Sequence, residues 1–470
     1  MDKLHRAGEE LADICREAIP TDEPGFFEET IRSLNREIFL ESARSYGTPH
    51  YFLDSDALKE RASFFAETMR RHVPRSEFFY AFKCNDLPFI VRTLKETGFK
   101  ADVAGIFELQ LALKLGFERI VFSGPGKSDE ELRLALKEKK RVIINIDNFD
   151  ELERLKTLSE EKRSRGKVDV GFRLNTEVSS EGQWWKFGFE LDELREAVRR
   201  VNQSSGLAWA GLHFHCSWNK TPLRYQEIIR KLSESLTANF SPVQLRKLRF
   251  LDIGGGYYPE YQGILHKGED KGMLLDILGT RRGSKRDVYN EMSFDPYAFG
   301  ITPVEPLENF ARAIGDALEK NIFPFNPGIA VYFEPGRFIV AHSTSIILGV
   351  TSVKKNGLIV DGGINMLGDY KFSEYSFAPV VNISRPSSRL KQQVIYGPLC
   401  DPHDLWGYSY YGEDAQKGDI FAVLFQGAYT FSTAWRFIRP IPSYIAASGG
   451  RFSIAREAET FRDRYAGCRF

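Results

Sequence analysis

Three strings in this chain end an apolar run with a group that could do chemistry. Lys83 follows Tyr80-Ala81-Phe82, Gly254-Gly255-Gly256 follow Leu251-Asp252-Ile253, and Glu334-Pro335-Gly336-Arg337 follow Val331-Tyr332-Phe333. A half-buried lysine is expensive unless it is paired or used, and a lowered amine pKa is what a Schiff-base lysine needs. The alternative is a lysine that snorkels to water at a strand end. Consecutive N–H groups in a glycine run could cradle a phosphate; the alternative is a tight strand-to-loop turn. The run is not a dinucleotide fingerprint, because Tyr257-Tyr258-Pro259 follow instead of a helix start. In the third string a stiff turn holds a carboxylate and a guanidinium. The arginine suits a phosphate bidentately, and the carboxylate could stabilise a protonated ring nitrogen. The alternative is a mutual surface ion pair.

Two further groups stand out. His213 and His215 share one face of their strand; His213 lies deeper and reads as core. His215 sits at the mouth, where an imidazole can stack on a flat ring or serve as acid or base. Two histidines at strand spacing are not a metal set, and no metal is expected. Cys400 and Asp401 lie in YGPLCDPHDLW, which Gly397-Pro398 and Pro402 mark as a loop. A thiol beside a carboxylate there is either a proton donor or a small buried residue.

The elements that must position these groups follow a rhythm. Apolar runs at 78–83, 100–104, 120–124, 141–147, 168–175, 209–216, 248–256 and 331–336 alternate with segments such as DEELRLALKEKK, whose apolar residues fall at three- and four-residue spacing. Eight strands alternating with helices predict a closed (β/α)₈ barrel over 46–340. In such a barrel the active groups lie at the C-terminal strand ends. These are Lys83, Asp102, Ser123, Asp147, Arg173, His215, the glycine triplet, Glu334 and Arg337, an unusually polar set. Residues 1–45 read as a helical surface extension, and 51–54 as an additional strand leading in. From 341 to 470 Val, Ile, Tyr, Phe and Ser dominate between turn signals, which predicts an all-β C-terminal domain. The stretch 261–300 lacks a clean period and carries Arg281-Arg282-Gly283-Ser284-Lys285-Arg286; it reads as an insertion on the barrel, a lid near its mouth.

Composition excludes several classes. The chain has 64 Lys+Arg against 64 Asp+Glu, so nothing pulls it globally toward nucleic acid or an anionic membrane. Its cysteines number five, with no CxxC, which supports neither a disulfide framework nor a cysteine zinc site. Reduced thiols in the cytoplasm are the simpler reading. The first residues show no signal-peptide h-region, and no apolar run is long enough to span a bilayer.

Together the strings YAFKCN, ADVAGIFELQLAL, GFRLN, GLHFHC, LDIGGG, EPGR, YGPLCD and GAYT resemble, in order, the fold-type III pyridoxal-phosphate-dependent amino-acid decarboxylases of the ornithine, arginine and diaminopimelate group. The resemblance covers about residues 46–440. It implies that Lys83 holds pyridoxal 5′-phosphate as a Schiff base and that Glu334 pairs with the pyridine nitrogen. Gly254, Gly255, Gly256, Gly336, Arg337 and Tyr429 would hold the cofactor at its phosphate end. His215 would stack on the ring, and Asp102 and Arg173 would organise the mouth near Lys83. Cys400 would return a proton after carbon dioxide leaves, and Asp401 would help read the substrate's distal end. Because that loop serves the partner's site in this family, a homodimer with shared sites is implied.

The departures bear on substrate. After the stacking histidine the chain has Cys216-Ser217-Trp218 where the family often has Gly-Ser. Asp401 replaces the glutamate, and Asp369 the distal arginine, of diaminopimelate decarboxylases. That pattern favours an amino acid with a basic or amine-bearing end: ornithine, lysine or a carboxylated polyamine. The alternatives are a conjugated or carrier-tethered amino acid in siderophore or antibiotic assembly, with the basic cluster docking an acidic carrier protein, and a non-catalytic regulatory homologue, against which Lys83 and Cys400 speak.

Overall fold

A computed structural model describes residues 24–161, 166–175, 186–217, 219–259, 263–264, 300–301, 304–368, 378–402 and 404–470. The chain forms two compact units, which meet at Asp54/Ser55 and Val340/Ala341 in the sequence.

The first unit is a closed barrel of eight parallel strands: Ser76–Ala81, Lys100–Val103, Ile120–Phe122, Val142–Ile146, Val168–Arg173, Leu207–His213, Phe250–Asp252 and Ala330–Phe333, here called first to eighth. Each falls on one of the eight apolar runs. The helices between them start and stop on local signals. In Asp129–Lys137, for example, Ser128 accepts the Glu131 N–H and the Glu131 carboxylate accepts the Ser128 N–H. This reciprocal cap satisfies donors that the first helical turn leaves open. Leu132 and Ala135, three apart, form its buried stripe.

The barrel interior is floored by aromatic rings. Phe79, Val121, Ala210, Phe250 and Tyr332 form one buried cluster. The Phe250 and Tyr332 rings stack at 4.8 Å, and Phe79 meets Tyr332 at 4.7 Å. Room for Phe250 comes from Gly211, where a Cβ would come within 2.5 Å of the ring.

The second unit is built on a nine-stranded sheet. In spatial order its strands are Gly357–Val360, Leu390–Tyr396, Leu405–Tyr411, Val380–Asn382, Ile420–Val423, Thr344–Lys354, His50–Asp54, Ser443–Ser448 and Arg451–Arg456. His50–Asp54 runs parallel to Ser443–Ser448 and antiparallel to Thr344–Lys354. The strand expected to lead into the barrel therefore belongs to this sheet, and the barrel unit begins at Ser55. Helix Arg36–Tyr46 buries Phe39, Ser42 and Ala43, with the Phe39 ring 4.8 Å from that of Phe52. From Phe39 onward the N-terminal segment is thus part of a core, not a surface attachment; residues 1–23 lie outside the described residues.

Of the 261–300 insertion, Gly263–Ile264 pairs antiparallel with Gly300–Ile301. The basic cluster, the apolar run Met273 to Leu278 and hence the expected lid lie outside the described residues. Among the described residues no helix is long and apolar enough to cross a membrane.

Candidate active site

Arg173, His213 and Asp252 are register partners on the fifth, sixth and seventh strands. Side chains two apart on a strand share a face. These three therefore stand one pleat beyond Gly171, Gly211 and Phe250, inside the barrel at its C-terminal end. Asp102 is the last but one residue of the second strand, while Ser123 and Glu334 directly follow the third and eighth. Lys83 lies in the single turn Phe82–Cys84 that closes the first strand and is half-buried. Gly336 touches that turn: a Cβ on it would run into the Cys84 sulfur.

The resulting ring of charge is almost dry. Glu334 is 1% exposed, Asp102 2%, Asp252 0%, His213 1% and Arg173 7%. Glu334 Oε2 lies 3.5 Å from His213 Nε2 and 3.7 Å from His215 Nδ1. Burial works against the Glu334 charge, but the His213 imidazole facing it and the Lys83 charge outweigh it and hold its carboxyl well below the usual carboxylate range. The other carboxyls move the opposite way. Burial, and then the Glu334 charge, push Asp102 up to about 8 despite Lys83 and Ser123. Burial also pulls His215 down to about 3, and the nearby Lys83 adds to this. The site thus keeps one firm carboxylate, Glu334, with neutral imidazoles around it.

His215 is fixed as a flat acceptor and donor. The Gly255 N–H donates to its Nδ1 at 3.1 Å, and its Nε2 stands 3.1 Å from the Ser217 hydroxyl. With Nδ1 accepting, the proton sits on Nε2 and points to Ser217. His213, read as plain core, is buried but directly beside Glu334, so it belongs to the site. The glycine run packs backbone on backbone. A Cβ on Gly255 would run into the Glu334 carbonyl, and Gly256, at φ +97°, would meet the Cys216 carbonyl. These glycines are needed for close approach whether or not a phosphate lies over them. Arg337 is half-buried, with its guanidinium 5.1 Å from the Tyr258 ring centre.

A second polar chain supports the ring from the side of Arg173. Its Nη1 donates to the Ser123 carbonyl at 3.0 Å, and Ser123 Oγ donates to Asp102 at 2.5 Å. Asp147 accepts the Gly188 N–H at 3.1 Å. Behind it, Lys127 Nζ donates to Glu151 and to the Asn145 carbonyl, both at 2.8 Å, with 1% and 0% of the two charged side chains exposed. The sequence pattern does not single out Lys127, Glu151 or Asp252. For Asp252 a signal existed: an acid inside the apolar run Leu248 to Ile253 must face inward or end the strand.

The remaining expected residues lie on the sheet unit. Cys400 is exposed and Asp401 half-buried. Their loop is pinned by buried Asp404, which accepts the N–H groups of Ile364 at 2.7 Å and Leu399 at 2.6 Å. Tyr429 holds a left-handed backbone, φ +56°, and its carbonyl accepts the Thr433 hydroxyl at 2.6 Å. Asp369 lies outside the described residues. The fold thus gathers Lys83, Asp102, Arg173, His215, Gly254 to Gly256, Glu334, Gly336 and Arg337 at one barrel end, with Cys400, Asp401 and Tyr429 on the other unit.

Residues 59–281 match the family described as pyridoxal-dependent decarboxylase, pyridoxal binding domain. The diaminopimelate decarboxylase of Aquifex aeolicus is 27% identical over 90% of this chain and 94% of its own. The structure of the Helicobacter pylori diaminopimelate decarboxylase complexed with L-lysine superposes with a TM-score of 0.73 at 25% identity, covering 91% of this chain and 98% of that one. A lysine/ornithine decarboxylase from Vibrio vulnificus complexed with cadaverine shares the fold at a TM-score of 0.65 and 23% identity, over 88% and 98% of the two chains. The barrel end fits pyridoxal phosphate. Glu334 Oε1 is buried with no hydrogen-bond donor among the described residues, which suits a protonated ring nitrogen.

The Lys127–Glu151 pair generates a prediction. Removing one partner of a buried ion pair strands the other charge, at about 3–5 kcal/mol, whereas replacing both with apolar groups is often neutral. Lys127→Met should lower the urea midpoint of the cofactor-free protein accordingly, and Lys127→Met with Glu151→Leu should recover more than half of the loss.

Proposed function

This chain belongs to the pyridoxal-phosphate-dependent amino-acid decarboxylases of the ornithine and diaminopimelate decarboxylase group, and on that premise we propose that it removes the α-carboxylate of an amino acid whose distal end carries an amine. The observation that supports the reaction is the collection of Lys83, Glu334, His215, Gly254 to Gly256 and Arg337 at one end of one barrel.

Pyridoxal phosphate supplies the electron sink that the α-carbanion needs. The Lys83 amine would hold its aldehyde carbon. The Glu334 carboxylate, kept ionised, would hold the proton on the ring nitrogen. His215, whose ring plane is set by Gly255 and Ser217, would cover one ring face. The glycine run, Gly336 and Arg337, joined by Tyr429, would bind the phosphate. Asp102 and Arg173, tied through Ser123, would fix the field beside Lys83. The Cys400 thiol would return a proton to the α-carbon, and the Asp401 carboxylate would pair with the distal amine.

For the substrate class, support comes from Asp401 in the loop and from Asp369 where a carboxylate-reading arginine would stand. The relatives act on or hold molecules with a distal amine: diaminopimelate by name, and L-lysine and cadaverine in the structures above. Lysine and ornithine are therefore placed ahead of substrates ending in a carboxylate alone. The basic cluster Arg281 to Arg286 favours a second reading, in which an acidic carrier protein presents a tethered amino acid.

Carbon dioxide release from a panel of amino acids tests this directly. Lysine, ornithine or a carboxylated polyamine should be turned over in preference to aspartate, glutamate and α-aminoadipate; preference for the latter would overturn the pocket reading. Losing one partner of a desolvated charge pair costs about 2–5 kcal/mol, so Asp401→Ala should raise KM by about thirtyfold or more while leaving the cofactor bound. If sites are shared between two subunits, mixing inactive Lys83→Ala and Cys400→Ala proteins should restore activity, because one site per mixed dimer is whole. No recovery after demonstrated subunit exchange would show that each subunit acts alone.

A further inference from the structure

Asp252 is the member of the charged ring to which the proposed reaction assigns nothing, and it stands beside His213 and Glu334. It is fully buried. Its Oδ1 accepts the Gly254 N–H at 3.0 Å, which helps set the start of the glycine run. Its Oδ2 has no hydrogen-bond partner among the described residues, and neither has Glu334 Oε1. One nitrogen of His213 and one oxygen each of Asp252 and Glu334 all lie within 4.8 Å of one another.

Two carboxylates this close, both dry and with no donor between them, would repel strongly and leave two acceptors unsatisfied. One proton removes both faults. Placed on Asp252 Oδ2 it turns that oxygen into a donor, and the Glu334 carboxylate becomes its acceptor. The count balances with one proton, one new O–H···O bond and one remaining negative charge on Glu334.

We infer that Asp252 is a positioning residue held as a carboxylic acid, which donates its proton to Glu334 and so keeps that carboxylate oriented and singly charged for the cofactor's ring nitrogen. The words about the cofactor rest on the function proposed above; the place of the proton does not. Each carboxylate oxygen has two lone pairs, so Glu334 can accept from Asp252 and still face a ring N–H. Titratable and charged groups facing the pair are Lys83 from the first strand's turn, Asp102 from the second, Arg173 from the fifth, His213 and His215 from the sixth, and the Tyr257 hydroxyl. Arg173 already donates to Ser123, and the Tyr332 hydroxyl, turned toward the other strand ends, accepts from Arg119. Burial first, and the Glu334 charge second, push the Asp252 carboxyl well above its ordinary range, which agrees with the geometry.

Asparagine has the shape of a neutral aspartic acid and keeps a donor, but it has no proton to lose. In the unfolded chain Asp252 ionises near its ordinary value of about 3.9. Folded as the acid, the wild type therefore gains stability at low pH that fades as pH rises toward the folded pKa. Chemical denaturation of cofactor-free wild type and Asp252→Asn should show this. The ratio of the wild-type to the variant unfolding constant should rise about tenfold per pH unit between about pH 5 and 7. A ratio flat over that window means that native Asp252 is ionised, and overturns the inference. Should the variant fail to fold, infrared spectra of the wild-type apoprotein decide the matter. A carboxylic-acid carbonyl band should survive above the titration of Asp102, near pH 8; its absence there overturns the inference equally. Titration of both apoproteins with pyridoxal phosphate, followed by absorbance, is independent: no binding by either would defeat the functional reading and leave the proton result standing.

Discussion

A carboxylate buried to 1% exposure is among the most expensive groups a protein can hold, and here Glu334 sits ionised inside a barrel. The surrounding residues follow from how that charge is kept. Two cationic side chains, Lys83 and Arg173, face it from the first and fifth strands. The imidazoles of His213 and His215 stay neutral, since burial disfavours their charge. The further carboxyl of Asp102 yields its charge, because the interior will not carry a second beside Glu334. A barrel mouth lined this way presents a fixed field before any ligand arrives, which is how preorganised sites stabilise charge that appears during a reaction.

The apolar part of the barrel makes that field possible. The layer of Phe79, Phe250 and Tyr332 closes the interior one pleat below the polar ring, so no water reaches the charged groups from that side. The same strands that supply the floor supply the polar ring. Phe250 and Asp252 share a strand face, and Tyr332 and Glu334 stand in the same relation across the eighth strand's end. Rigidity comes from close contact at the glycine run, where backbone meets the carbonyls of Cys216 and Glu334, and from the chain Arg173–Ser123–Asp102.

Much of this was legible in the sequence, for physical reasons. Parallel barrel strands are buried on both faces, so all eight stand out as apolar runs. Polar residues closing those runs could be read as a mouth because the topology allows one active end. Other features left no local trace. The strand His50–Asp54 has the same composition whether it leads into a barrel or pairs with Ser443–Ser448, a partner almost four hundred residues away. Helix Arg36–Tyr46 is charged on most of its surface, and only tertiary packing shows Phe39 to be core. Lys127 and Glu151 look like surface charges, because nothing at the level of one strand or helix says that they meet. The sequence gives the depth of His213 but marks it only as packing, because its role depends on Glu334, which is distant in sequence.

The central claim is that one lysine at the end of the first barrel strand is the group on which the cofactor and the chemistry are assembled. Borohydride reduction of the protein in the presence of pyridoxal phosphate, followed by peptide mapping, tests it most directly. The account predicts a single phosphopyridoxyl adduct on the peptide containing Tyr80-Ala81-Phe82-Lys83-Cys84-Asn85. An adduct confined to another lysine, or none after incubation with excess cofactor, would contradict it.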